Sequence, residues 1–541
     1  MVTKIDMKNL IKTFSLILLL TSSLTGCKKN ERSLPPPSKG LNQQITINIT
    51  TDPGTLDPRK ARDLTDINLI RMFMDGLTRV DKDGNNGLAV AEKVDISPDK
   101  KTYIFTLRDC KWSNGDLVTS HDFSYAWKKS LSPEFNAPNA SMLYVIKNAK
   151  EAKEGKLPPS LVGIETPDEK TLVVNLSHPI PYFMEMIAHP VFFPINGHVD
   201  ARNPRWADKE TTYVGNGPFS LSEWKHHDAM EAQKNPKYWD HKTVKLSNIK
   251  MIMVSADTGF NLFDADKLDW DGSPLSTIPT NAIDSLKSSE KFHTMPTLAT
   301  YWIRVNIEKK FLQNRNLRKA LAYAVDRRAI VDHVMQGNQI PATGIVPTAM
   351  KLQQKPLFID HDLDAAKTHF DQALEELETA ASELSVISLL YTSSERNHSM
   401  AQAIQNQWLK AFGIQVRLEA VENKVFFDRI SNKDYDLSIA SWFADFNDPV
   451  NFLEVFKTKD VGTNNTNWEN PTYTELLETS YYCQSDEKRR TVLARSEMLL
   501  INDMPVIPLF HATMLYVRDN ELKDVVLTTM GSIDFKWAHI N

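Results

Sequence analysis

The sequence predicts an α/β fold, on three observations. Apolar residues at every second position mark half-buried strands: Ile45, Ile47 and Ile49; Tyr103, Phe105 and Leu107; Leu172, Val174 and Leu176. Helical spacing takes over past residue 300, where Leu321, Ala324, Val325, Val331 and Val334 share one face. Between residues 386 and 440 strands and helices then alternate, which means a largely parallel sheet with helices on its faces.

Taken in order, residues 1–26 read as a secretory signal peptide. Lys4, Lys8 and Lys12 precede an apolar run at 14–20, which Thr21, Ser22 and Ser23 end. A membrane span needs roughly 20 apolar residues, so the run targets and does not span. Leu24-Thr25-Gly26-Cys27 resembles the bacterial lipobox, which implies lipid attachment at Cys27 as the first mature residue. Residues 27–44 are polar and then proline-rich (Leu34-Pro35-Pro36-Pro37), and read as an extended tether.

The remaining chain of roughly 500 residues exceeds one typical core and splits into two or three lobes. Lys plus Arg number 63 against 68 Asp plus Glu, with no basic stripe, so no nucleic-acid partner is expected. Cys110 and Cys483 could pair or sit apart. No zinc-like spacing occurs, and neither a metal nor a cofactor is expected.

A helix is expected at 123–130, with Ser120 as N-cap and Asp122 near the positive end of the dipole. Another runs 318–336 and stops at Gly337, and a third covers 364–381. Strand 386–391, helix 399–412 ended by Gly413, strand 414–418, helix 424–430 and strand 435–440 complete the alternation. Open α/β sheets bind ligands beyond the carboxyl ends of their strands, which singles out segments 392–398 and 441–449.

Large aromatics supply contact area at low entropy cost, and one desolvated carboxylate selects a cationic group. Trp442, Phe443 and Asp445 fit that division. They fit equally well a plainer one, with aromatics in the core and Asp445 turning the chain with Asp448-Pro449.

Trp442-Phe443-Ala444-Asp445-Phe446-Asn447-Asp448-Pro449 resembles the Trp-x-Ala-Asp-Tyr-x-x-Pro segment of the oligopeptide-binding proteins of ABC transporters, extracellular solute-binding protein family 5. Similar to the same family are Lys111-Trp112-Ser113-Asn114-Gly115-Asp116, Pro181-Tyr182-Phe183, Gly215-Asn216-Gly217-Pro218-Phe219, Asn235-Pro236-Lys237-Tyr238-Trp239 and Leu317-Arg318-Lys319-Ala320-Leu321, in order along the chain. The resemblance implies a periplasmic-binding-protein type II-like fold of three lobes, the main two closing on a cleft by a hinge. Lobe I would comprise 45–74, 197–297 and 512–541, lobe II 75–196, and lobe III 298–511. It further implies that Asp445 receives the N-terminal ammonium of an oligopeptide, and that Ser441 to Phe443 and Arg62, Asp63 and Leu64 pair with its main chain. Trp302 would be a pocket aromatic. The implied partners are ABC transporter permease subunits and, through the lipid, the periplasmic face of a bacterial membrane; the protein would be a monomer and no enzyme.

This chain departs from the family at six positions. A cysteine pair common in members falls on Phe443 and Ala299. Arginines that hold the ligand carboxylate in members fall on Ile430 and Ile439, and a tryptophan and a histidine of that site on Asn423 and Asn397. Arg396 and His398 are candidates to replace the lost charge, set against an ordinary solvated loop. The alternative cargo is a cell-wall peptide, a dipeptide, haem or a nickel chelate; an exported peptidase or an adhesin is the rival class. Asp81 to Gly87 imitates a calcium loop with its glycine misplaced and reads as a β-turn, as does Gly215-Asn216-Gly217.

Overall fold

The alternating isoleucines form β1 (Gln44–Asn48), with Ile45 and Ile47 buried in the interior of a large mixed sheet. Its other strands are β2 (Phe219–Lys225), β3 (Ala229–Lys234), β4 (Asn248–Ile252), β5 (Trp270–Gly272), β6 (Phe292–Val305), β7 (Ser388–Thr392), β8 (Arg417–Val421), β9 (Leu437–Phe443) and β10 (Val506–Arg518). They lie in the order β8-β7-β9-β6-β10-β5-β1-β4-β3-β2, and Ile340–Pro341 pairs with β10. A second, four-stranded antiparallel sheet runs Ala91–Ile96, Thr102–Leu107, Thr171–Asn175, Ile164–Asp168. These facts come from a computed structural model that describes residues 43–459 and 462–541; the expected signal peptide, Cys27 and nearly all of the tether lie outside them. No helix among the described residues is long and apolar enough to cross a membrane.

The helices that position the site are α1 (Leu64–Phe73), α2 (Ser120–Ser130), α3 (Arg315–Tyr323), α4 (Leu363–Leu377), α5 (Glu395–Phe412), α6 (Asn423–Ser431) and α7 (Asp486–Asp503). α5 ends as the sequence suggests, on Gly413 at φ 70°. α2 starts one residue earlier than expected: Thr119 is the N-cap, and the Asp122 carboxylate accepts its backbone N–H at 2.9 Å. The helix expected over 318–336 is broken. Asp326 caps a fresh turn by accepting the Ala329 N–H at 2.8 Å, and the buried Arg327 guanidinium takes the carbonyl of Ala322 in the last turn of α3 and that of Val325 just beyond it. Gln336 at φ 57°, not Gly337, takes the left-handed position.

The expected parallel sheet holds only locally. β7 is parallel to β8 and β9, but β6 lies antiparallel to both β9 and β10, so the whole sheet is mixed. β6 and β10, 14 and 13 residues long, run unbroken through positions 297/298 and 511/512, where lobe boundaries were expected. Their ladder shifts register between Pro296 and Thr300 and again between Tyr301 and Trp302.

The remaining motifs resolve into packing. Gly215 and Gly217 lie against the end of α1: a Cβ there would meet the Phe73 carbonyl at 2.1 Å and the Met74 nitrogen at 2.4 Å. Asn216 between them bonds both backbone groups of Asp75, so the motif is a close chain crossing. Residues 81–85 close a hairpin between Thr78–Val80 and Asn86–Leu88. Cys110 and Cys483 are unpaired, the first buried.

Candidate ligand-binding site

The site is built on the end of β9. β6 pairs with the whole strand, from Leu437 opposite Val305 to Phe443 opposite Ala299. Those last two are the positions on which the resemblance puts a cysteine pair, and they stand directly opposite each other in the ladder. On the other edge β7 reaches only Leu437 and Ser438. From Ile439 to Phe443 that edge therefore has no neighbouring strand among the described residues, and its backbone groups form a template for an extended chain.

Asp445 stands just past the end of this open edge. Asn451 holds it in place: one side-chain oxygen accepts the Trp442 indole N–H at 2.8 Å and the Asp445 backbone N–H at 3.3 Å. Asp448, three residues on, is committed elsewhere. It is buried, and its two oxygens take both terminal nitrogens of Arg489 in α7 at 2.7 and 2.8 Å. Arg489 in turn lies over the Tyr182 ring, 5.6 Å from its centroid, and Tyr182 stacks on Phe446 at 4.5 Å and 2°. Asp448, not Asp445, is the aspartate that turns the chain.

The Asp445 carboxylate is left without an ion-pair partner among the described residues. It is exposed to water, yet the surrounding protein desolvates it enough to push its pKa above the ordinary carboxylate value, against an opposing hydrogen bond from Asn451.

Ser441 and Phe443 share a face with Tyr301. The Tyr301 ring stacks on Phe510 at 4.8 Å and meets Phe443 edge-on at 6.4 Å. Trp302, named from the resemblance as the pocket aromatic, is wholly buried with its ring against Phe456. Strand alternation puts it on the opposite face, so Tyr301 is the aromatic beside Ser441. Asp63 caps α1, accepting the Asp66 N–H at 2.9 Å, and the Leu64 carbonyl accepts from Asn68. Contacts run from there to the site: Asn68 bonds the Gly531 carbonyl, Thr529 accepts the Leu298 N–H, and Leu298 accepts the Ala444 N–H. Sequence reasoning missed Asn451, Arg489 and Tyr301. Asn451, the first polar residue after Asp448-Pro449, was itself the available signal for the first; nothing in sequence spacing points to Arg489.

A family model described as "Bacterial extracellular solute-binding proteins, family 5 Middle" matches residues 87–464. The chain belongs to that family. Among relatives, the oligopeptide-binding protein OppA of Bacillus subtilis (strain 168) is 38% identical over 98% of this chain and 100% of its own length. The crystal structure of Haemophilus influenzae OppA in complex with RPPGFSPFR superposes with a TM-score of 0.78 at 28% identity, covering 92% of this chain and 99% of that one. The Escherichia coli murein tripeptide binding protein MppA gives 0.77 at 26%, covering 92% and 98%.

In this family 5 protein the two positions that lack arginine are packed apolar sites. Ile439 is buried in the sheet, and Ile430 on α6 sits in a cluster with Leu390, Phe426 and Tyr435. The Asn397 amide is spent on Thr392 Oγ1 at 2.7 Å. Of the two replacement candidates, His398 Nδ1 is hydrogen-bonded to the Tyr391 hydroxyl at 2.7 Å, whereas Arg396 is exposed at the start of α5.

Proposed function

We propose that this solute-binding protein captures oligopeptides by their free N-terminal amine and main chain, in the bacterial envelope, and delivers them to the permease of an ABC transporter. The observation that carries the reading is the uncompensated Asp445 carboxylate at the end of an open strand edge. An ammonium placed there gains a charged hydrogen bond of roughly 1.5–3 kcal/mol, and the edge adds main-chain bonds that read no side chain. Ser441, Trp442 and Phe443 offer that edge, and Asp63 and Leu64, at the start of α1, would meet the same peptide main chain from the other side. Capture without turnover is the function, so a labelled peptide is released intact. Lipid attachment at Cys27 belongs to the same reading, as it keeps the protein beside its transporter.

Calorimetry tests it. Wild type binds a short peptide and loses roughly ten- to hundredfold in affinity when the peptide is N-acetylated or when Asp445→Ala is made, with folding unchanged. Equal affinity for free and acetylated peptide sinks the assignment. The absence of arginine at 430 and 439, together with the likeness to MppA, favours a murein peptide as second reading. Mass spectrometry of ligand carried through purification separates the two.

A further inference from the structure

Phe510 and His511 are neighbours on β10 and turn to opposite faces of the sheet. Phe510 stacks on Tyr301, whereas His511 is hydrogen-bonded to Thr300. On the Thr300 side, residues from segment 341–360 together with Glu497 of α7 and His511 line a cavity of about 690 Å³, a size that holds a small organic ligand. Val346, Pro347, Leu357 and Phe358 give its wall an apolar character.

Two buried acceptors belong to that wall and lack a donor. Glu497 gives Oε1 to the Val346 N–H at 2.9 Å, and Gly344 makes room for it: a Cβ there would meet Oε1 at 2.4 Å. Its Oε2 is buried and accepts no hydrogen bond from the described residues. His511 supplies the second acceptor. The Thr300 hydroxyl donates its one proton to the Ile345 carbonyl at 2.8 Å, so toward Nδ1, at 2.9 Å, it accepts. The ring is thus the Nδ1–H tautomer, and burial, which pulls its pKa down to about 4, keeps it neutral. Nε2 is left as a lone pair with no partner among the described residues. The charged groups that share the cavity do not answer this need. Arg328 and Lys355 are exposed, Arg328 with Asp332 3.9 Å away, and Asp360 is held by Arg327 at 2.8 Å.

We propose that this cavity is a second binding site, for a small protonated amine with an apolar body, whose N–H groups donate to Glu497 Oε2 and His511 Nε2 while the body packs on Val346, Leu357 and Phe358. Acceptors buried without donors are costly, and a carboxylate among them selects a cation over a neutral donor. Burial pushes the Glu497 carboxyl up to about 7, so the charge that selects the amine is present above neutrality. The site stands apart from the reading of Asp445 as the anchor of a peptide amine.

The test titrates phenethylamine and its neutral counterpart, phenethyl alcohol, at about pH 8 into wild type, Glu497→Gln and Asp445→Ala. Wild type and Asp445→Ala are both expected to prefer the amine by about tenfold or more. Glu497→Gln keeps an acceptor for the Val346 N–H but loses the charge, and with it the preference, while its circular dichroism stays that of the folded protein. A second measurement needs no variant: wild-type crystals soaked in bromophenethylamine should place the bromine anomalous peak in the cavity, beside Phe358. A wild type that binds neither compound or both alike, a Glu497→Gln that keeps the preference, an amine affinity that vanishes in Asp445→Ala, or a bromine beside Asp445 instead overturns the proposal.

Discussion

Two segments of this molecule, 392–398 from the end of β7 into α5 and 441–449 from the end of β9 onward, leave neighbouring parallel strands at the same end of the sheet and look equivalent in sequence. The structure treats them differently. The second is braced from three directions, by Arg489 on Asp448, by Asn451 on Trp442 and Asp445, and by Tyr182 on Phe446. The first is held mainly by its own helix, through the Ser394 cap and the Asn397–Thr392 bond. One segment therefore holds its exposed carboxylate, Asp445, in a braced frame, and the other carries its exposed charge, Arg396, on the first turn of a helix.

The comparison breaks most sharply at Arg489. Arg489→Ala leaves Asp448 buried and unpaired, and is expected to cost about 3–5 kcal/mol in urea unfolding while abolishing peptide binding. Retained stability would show that the second loop does not depend on this brace. A smaller effect follows from pH. The carboxylate of ligand-free Asp445 titrates above its ordinary value because of desolvation, and only its ionised form attracts an ammonium. Peptide affinity is thus full above that raised pKa and falls as pH drops through it, approaching about tenfold per pH unit below. Asp445→Asn should flatten the profile; an unchanged slope would place the titrating group elsewhere. The smallest effect belongs to the first loop, where Ser394→Ala should cost about 1 kcal/mol of stability and leave affinity for a C-terminally amidated peptide unaltered.

Much of the fold was legible because periodicity is local. The strands at Gln44–Asn48 and Thr102–Leu107 and the end of α5 at Gly413 follow from alternation and from one glycine. Where a distant group intervened, local reasoning failed. Arg327 satisfies carbonyls of α3 and so permits the break in a continuous helical pattern. β6 and β10 arrive antiparallel from another part of the chain, which no spacing within 386–440 could announce.

The sequence by itself determined the family, the candidate loop and the loss of arginine at 430 and 439, since residue identities and their order need no coordinates. Only the tertiary structure decided which of two aspartates three residues apart stays available. That choice depends on Arg489, 41 positions beyond Asp448, entering the same buried space. It also decided that Tyr301 and not Trp302 faces Ser441, because the face of a strand residue is set by register across the sheet. A carboxylate stays open when the arginine that packs nearby, here Arg489, is already engaged with another partner, and that is a property of packing.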